Sequence, residues 1–282
     1  MIVVSGGSGD LASRTLRHLA GRADVRALSR TPDKVTLVPA AYADFDDPGS
    51  LTAALAGADR FLLVSIGGLQ PGDLERQTNA VAAAAKAGVG HIVYTSLTRA
   101  GDSGNPVPLA GYHGATERVL AESGVPFTVL RFNIWPEVLS VIGLVPAARE
   151  HGQWFSNSGD GRCGYVTKDD CAEVAARVLL KGSHQGEILE VTGPDAVSDQ
   201  DFAAALGVEY VPVGDDELPA RLIAMGLPER FAGLWAEAGI QQRAGWFDVR
   251  TDVVAKITGR APVSLRDHWM NSDRNFTDSG PL

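Results

Sequence analysis

The sequence predicts an α/β protein: a doubly wound parallel sheet with a smaller, mainly helical C-terminal lobe. Three observations carry that expectation. Short, almost wholly apolar runs alternate with helical patterns as far as Phe132, as parallel strands covered on both faces do. A glycine-rich turn joins the first strand to the first helix. Beyond Phe132 the alternation loosens, and helical patterns dominate the last quarter. Right-handed crossovers turn an alternation of this kind into a sheet wound outward from its middle.

In order, residues 2–5 read as a strand, 10–20 as a helix and 25–29 as a strand. Thr31-Pro32-Asp33 reads as a helix start, with Thr as N-cap and Pro in the first turn. The run at 35–39 reads as the third strand. Residues 48–56 read as a helix that Asp46 or Asp47 would cap and Gly57 would stop. A strand at 60–65, an Ala-rich helix at 71–87, a strand at 91–96, a helix at 109–123 and a strand at 127–132 complete the first half. Further on, 141–150 and 168–180 read as helices, and 153–155 and 187–192 as strands. Helices are expected at 215–225, 229–238 and 251–257. Asp169 and Asp170 would cap the helix at 168 and face its positive dipole end. The polar tail at 271–282 is expected to fray. The expected division is a dinucleotide-type domain over 1–150 and a smaller lobe over 151–282, interleaved with the sheet.

Composition bounds the function. The chain has 282 residues, 45% hydrophobic and 21% charged, an ordinary globular mixture. A net charge of −9 and a pI near 5.1 argue against a nucleic-acid surface, which needs basic residues. A local basic pocket for a phosphate stays open. Cys163 and Cys171 are expected as reduced thiols, and no Cys/His set has metal-ligand spacing, so no metal is expected. No apolar run reaches the ~20 residues of a membrane-spanning helix, and the chain opens on a strand rather than a signal peptide. A cytoplasmic location is expected, without membrane or nucleic-acid partners; a homodimer is an open arrangement.

The first turn reads Ser5-Gly6-Gly7-Ser8-Gly9-Asp10-Leu11-Ala12. Gly6 would let the chain turn sharply out of the strand. Gly9 would leave room for a pyrophosphate at the backbone, and Ala12 would let the helix lie against the sheet. The first helical N–H groups, with Ser8, Asp10 and Leu11 around them, would face the phosphates. Strand before and helix after make this the dinucleotide-binding Rossmann turn. The second strand ends Leu28-Ser29-Arg30, where an NAD site usually places a carboxylate for the ribose 2′-hydroxyl. A small hydroxyl with Arg30 and Lys34 would instead pair with a 2′-phosphate, which favours NADP(H) over NAD(H); Arg26 is a weaker third cation. Asp44 and Phe45 could bond and cover an adenine. Val64 and Ser65 end the fourth strand, and Gly67-Gly68 would let the loop pass the nicotinamide ribose. Thr95 and Ser96 end the fifth.

Several segments together resemble a known family. These are residues 5–12, Val25-Arg26-Ala27-Leu28-Ser29-Arg30, Ala43-Asp44-Phe45-Asp46, and His91-Ile92-Val93-Tyr94-Thr95-Ser96-Leu97. With them go His113-Gly114-Ala115-Thr116-Glu117, Leu130-Arg131-Phe132-Asn133, Val191-Thr192-Gly193-Pro194-Asp195-Ala196 and Thr258-Gly259-Arg260-Ala261-Pro262. They resemble the NmrA-like atypical short-chain dehydrogenases/reductases, and within them the type 2 NAD(P)H:quinone oxidoreductases and triphenylmethane reductases. The resemblance implies a Rossmann domain, a smaller C-terminal lobe with a substrate cleft between the two, and a preference for NADPH. Some members reduce quinones or dyes; others bind the dinucleotide as sensors and regulate a partner without turnover.

Conventional short-chain dehydrogenases pair a Tyr with a Lys four residues on, which lowers the phenol's pKa. Here Tyr112 is followed by Thr116, so the pair is broken. Ser96 lies where the conventional Ser would. Tyr112 and His113 are the catalytic candidates: either could hand a proton to a reduced acceptor, or position cofactor or substrate. Gly67, Asn133 and Trp135 are the substrate-side candidates, Trp135 as a stacking surface for a planar acceptor, with Gln70, Phe155 and Tyr165 as weaker wall residues. The expected function is NADPH-dependent hydride transfer to a quinone or similar conjugated small molecule; the alternative is a non-catalytic NADP(H) sensor.

Overall fold

A computed structural model describes residues 1–67 and 70–270. Along the chain come β1 (Ile2–Val4), α1 (Asp10–Leu19), β2 (Val25–Ser29), a 3-10 turn (Pro32–Lys34), β3 (Ala40–Tyr42), α2 (Pro48–Ala54), β4 (Arg60–Leu63), α3 (Asp73–Lys86), β5 (His91–Leu97), α4 (Pro108–Glu122) and β6 (Phe127–Phe132). Next are α5 (Pro136–Val141), α6 (Leu144–His151), β7 (Gln153–Ser156), β8 (Arg162–Cys163), α7 (Lys168–Lys181), β9 (Ile188–Val191) and β10 (Val197–Ser198). Last are α8 (Asp199–Leu206), β11 (Glu209–Pro212), α9 (Leu218–Ala224), α10 (Glu229–Arg243) and α11 (Val253–Thr258). The chain groups into two units. The first holds 1–132, 168–191 and 253–260; the second holds 133–167, 192–252 and the described residues from 261 on.

The first unit is built on one seven-stranded sheet in the order β3-β2-β1-β4-β5-β6-β9, every neighbouring pair parallel. The strands are apolar because both faces are covered: Val3, Val4, Phe61, Leu62 and Leu63 are fully buried. α1 packs on α7 through a stripe of Leu11, Ala12, Thr15, Leu16 and Leu19, the spacing of one helical face. α2, α3 and α4 close the other face over Leu51, Phe61, Ala80, Tyr94 and Leu120. The winding reverses between β1 and β4, which opens a crevice at their carboxyl ends.

The third strand departs from expectation. Residues 35–39 are the crossover into β3, with Leu37 49% exposed. The pairing starts only where Ala27 N donates to the Pro39 carbonyl and Ala27 aligns with Ala40. Apolar content suggested a strand, but the chain needs those residues to travel back before it can pair in parallel. Thr31 makes no side-chain cap, and Pro32 opens a single 3-10 turn rather than a helix. Asp47 caps α2, accepting from Gly49 N and Ser50 N.

The second unit carries two short sheets, β7 with β11 in parallel and β8 with β10 antiparallel, and a helical C-terminal part. Its centre is aromatic: the Trp154 and Tyr165 rings lie 4.5 and 5.2 Å from Phe202. The helix expected at 141–150 is α6, which starts only at Leu144 after Gly143 at φ +92°; α5, on the other side of that bend, was not anticipated. β7 lies where a strand was expected at 153–155; α8, β8, β10 and β11 were not anticipated, although Ser198 and Asp201 form a capping box that was readable. Among the described residues no helix is long and apolar enough to cross a membrane. The tail at 271–282 and Gly68 lie outside the described residues.

Candidate cofactor and active site

A pocket of about 720 Å³ opens in the first unit beside the β1–α1 turn. The expected residues Gly6, Ser8, Gly9, Arg30, Asp44, Phe45, Val64 and Ser65 all line it, with Thr31, Ile66, Asp73 and Arg76. Its floor is the glycine turn. Gly6 sits at φ +65°, so it makes the left-handed bend that a side chain resists. At Gly9, the N-cap of α1, a Cβ would lie 3.1 Å from the Gly6 carbonyl and would fill the cradle where a diphosphate approaches. Gly7 has a role that sequence reading missed: a Cβ there would stand 2.7 Å from Ala27 Cβ on β2, so the turn packs on the sheet only as glycine. The first-turn N–H groups of α1, those of Asp10 and Leu11 among them, lack helical acceptors and give the pocket an anion-binding end. These features fit a dinucleotide.

The end of β2 carries the choice of cofactor. Ser8 Oγ and Ser29 Oγ are 3.2 Å apart, and Thr31 N donates to Ser29 Oγ. Arg30 is exposed at the pocket wall, and among the described residues it forms no ion pair. Lys34 is exposed in the 3-10 turn and does not line the pocket. Arg26 turns away, donating to the Ala54 carbonyl at 3.2 Å. Across the pocket the loop after β3 is braced: Asp46 N donates to Asp44 Oδ1, and Asn79 Nδ2 donates to the Phe45 carbonyl.

The remaining cofactor candidates are committed elsewhere. Asp10 pairs with Lys168 and Arg14 at 2.9 and 2.7 Å. Burial raises its pKa, but the hydrogen bonds from those two cations outweigh it and hold the carboxyl below its usual range. The Leu11 side chain is buried. Thr95 Oγ1 accepts from Ser65 N at 2.9 Å and donates to Ser65 Oγ, fixing that rim residue from beneath. Ser96, on the opposite face of β5, donates to Glu117 Oε1 at 2.6 Å. Glu117 in turn holds Arg131 through two bonds of 3.0 and 2.7 Å. The position of a conventional catalytic serine thus belongs to a buried ion pair. Asp169 and Asp170 likewise act as ion-pair acceptors, for Arg14 and Arg260.

Tyr112 and His113 are both buried. Tyr112 donates to Gln77 Oε1 at 3.0 Å, and that oxygen also accepts from Ile66 N. The amide N–H of Ile66 fixes which end of Gln77 faces it, so the phenol can only donate there. Burial, and the Asp73 charge after it, raise the Tyr112 pKa. Thr116 Oγ1 donates back to the Tyr112 carbonyl. His113 Nδ1 shares a 2.7 Å hydrogen bond with the Tyr94 hydroxyl, and burial lowers its pKa to about 4. Unfolded, the ring titrates near 6.5; between about 6.5 and 4 the unfolded chain therefore binds the extra proton. Stability contributed by this site is whole above the upper value and lost as pH falls toward the lower one. Urea denaturation of His113→Gln is expected to show a shallower acid slope than the parent, with His18 and His91, shifted down by burial as well, retaining the rest.

The substrate-side candidates are spread over both units. Gly67 follows β4 in the first. Asn133 and Trp135 belong to the second, where Asn133 donates to the Phe247 carbonyl and accepts from Ile134 N and Cys163 Sγ. Tyr165, expected as a wall residue, is instead packed in that unit's aromatic centre. Phe155 is half-buried under the Arg221 guanidinium, and Gln70 N donates to Asp73 Oδ2.

Residues 6–181 match an NAD(P)H-binding family. The chain is 32% identical to quinone oxidoreductase 2 of Escherichia coli, over 95% of this chain and 96% of that one. Among solved structures it resembles an NADPH-dependent quinone oxidoreductase of Escherichia coli in complex with NADPH, with TM-score 0.87 and 29% identity, covering 97% of this chain and all of the other. It also resembles the triphenylmethane reductase of a Citrobacter species, with TM-score 0.88 and 26% identity, over 97% and 99% of the two chains.

Proposed function

This chain belongs to the NAD(P)H-binding family, as an NmrA-like NAD(P)H-dependent oxidoreductase, and from that premise we propose that it uses NADPH to reduce a quinone or a similar conjugated acceptor. The observation that carries the proposal is the commitment of its proton-bearing side chains. Tyr112, His113 and Ser96 are each buried in a hydrogen bond to another residue. A conjugated acceptor suits such a site, because hydride addition leaves a hydroquinone monoanion that can take its second proton from water. NADPH supplies the hydride; the protein binds and orients.

Within this reading Gly6 and Gly9 cradle the diphosphate, Arg30 with Ser29 meets the 2′-phosphate, and Asp44 and Phe45 face the adenine. Ser65, pinned by Thr95, borders the nicotinamide ribose. Trp135 and Gly67 stand as acceptor-side residues, and Tyr112 and His113 act by position rather than by proton transfer. Tyr112→Phe is accordingly expected to keep kcat within about threefold of the parent, where a general acid would lose ~100-fold or more.

Quinone-dependent oxidation of NADPH by the purified chain, followed by the absorbance of reduced nicotinamide, tests the proposal. Turnover with quinones and much slower turnover with NADH is the expected result. Tight NADPH binding with no turnover on quinones, azo dyes or triphenylmethane dyes overturns it and favours a sensor.

A further inference from the structure

We propose that Arg76 is a charge-neutralising clasp of the cofactor pocket, a residue that sets affinity for the adenine half of the dinucleotide without contacting the 2′-phosphate. The inference deepens the reading of that pocket as the site of an anionic dinucleotide.

Among the described residues five charged side chains line the pocket: Arg30 and Arg76 against Asp44, Asp46 and Asp73. Such a surplus of carboxylate is ill suited to a ligand carrying a diphosphate and a 2′-phosphate of about −1.5 to −2 charge. Arg76 limits the conflict. Its Nε donates to Asp46 Oδ1 at 2.8 Å and its Nη1 to Asp73 Oδ1 at 3.1 Å. One guanidinium thus offsets one of the two carboxylate charges it touches: with Arg76 the five groups sum to −1, and without it they would sum to −2.

The same side chain ties the two rims together. Asp46 lies in the loop after β3, beside Phe45; Asp73 opens α3 and accepts Gln70 N from the loop after β4. Arg76 Nη1 also donates to the Pro71 carbonyl. Gly72, at φ +84°, makes the left-handed bend that leads into α3 beside this guanidinium. One turn along α3, Asn79 holds the Phe45 carbonyl. Two carboxylates and the Pro71 carbonyl hold this one cation at the pocket wall.

Calorimetric titration with adenosine 2′,5′-bisphosphate and with NADPH tests the role, each variant first checked by thermal melting. Arg76→Gln is expected to weaken both ligands about tenfold. Adding Asp46→Asn to that variant is expected to restore affinity to within about threefold of the parent, because it removes the exposed repulsion. Arg76→Lys is expected to retain most of the affinity, since charge rather than fork geometry carries the effect. A loss in Arg76→Gln that Asp46→Asn leaves unrelieved, equal losses in Arg76→Gln and Arg76→Lys, or no loss at all overturns the clasp. If the parent chain itself fails to bind adenosine 2′,5′-bisphosphate, the pocket reading fails instead, which the variants cannot mimic.

Discussion

Arg30→Glu is expected to weaken NADPH binding by about 100-fold or more, roughly 2.7 kcal/mol, while NADH binding changes only a few-fold. The parent arginine is exposed at the pocket wall and has no ion-pair partner among the described residues, so it can meet a ligand phosphate without breaking an existing bond. A hydrogen bond to a charged group contributes about 1.5–3 kcal/mol, and a carboxylate in its place adds repulsion to the loss. NADH carries a hydroxyl where NADPH carries the phosphate, so the penalty is nearly absent. Ser8, Ser29 and Thr31 stay in place and could bond either group. Paired titrations of both cofactors check it: equal losses would mean that Arg30 acts on the shared diphosphate, and the preference for NADPH would need another source.

The sequence made Arg30 visible because it sits at a fixed place in a local pattern, one residue beyond a strand that a glycine turn had already anchored. Gly6 and Gly9 were legible for the same reason: backbone bend and close approach leave their mark in residue type within a few positions. What was hidden depends on partners far along the chain. Ser96 looked like a cofactor or catalytic residue from its place at the end of β5, but side chains on a strand alternate faces. Thr95 points toward Ser65, and Ser96 points toward Glu117, 21 residues later. Lys34 looked like a second phosphate cation because a helix was expected after Thr31; a single 3-10 turn leaves it off the pocket lining. Gln77 drew no notice, since nothing near it in sequence reveals that its amide oxygen will bind both Tyr112 and Ile66. Arg76 likewise drew no notice in the helix expected at 71–87, and became meaningful only once Asp46, 30 residues earlier, stood within 2.8 Å of it.

Glu117→Ala is expected to destabilise the fold by about 3–5 kcal/mol, the cost of stranding a buried charge. The Glu117 and Arg131 side chains are only 8% and 10% exposed. Arg131 binds Glu117 through Nε and Nη2 and Glu190 through Nη1, while Glu190 also accepts from Thr98 Oγ1 and Arg99 N. The loop after β5 is shaped around the pair: a Cβ at Gly101 would stand too close to Arg131 Nη2. Alanine leaves the guanidinium with Glu190 as its nearest carboxylate and strips Ser96 of its acceptor, and the closely passing loop leaves little room for water to replace them. Urea denaturation without cofactor would measure the loss. Glu117→Gln, which keeps the volume and one acceptor oxygen, is expected to fall between parent and alanine. Glu117→Leu combined with Arg131→Met is expected to recover part of the loss, because an apolar pair of similar size leaves no charge unpaired. A cost below about 1 kcal/mol for the alanine variant would place the pair among exposed ion pairs. The expected cost instead ties Ser96 to a bridge that the sheet needs to stay folded, while the conventional Lys position is taken by Thr116, whose hydroxyl turns back to the Tyr112 carbonyl.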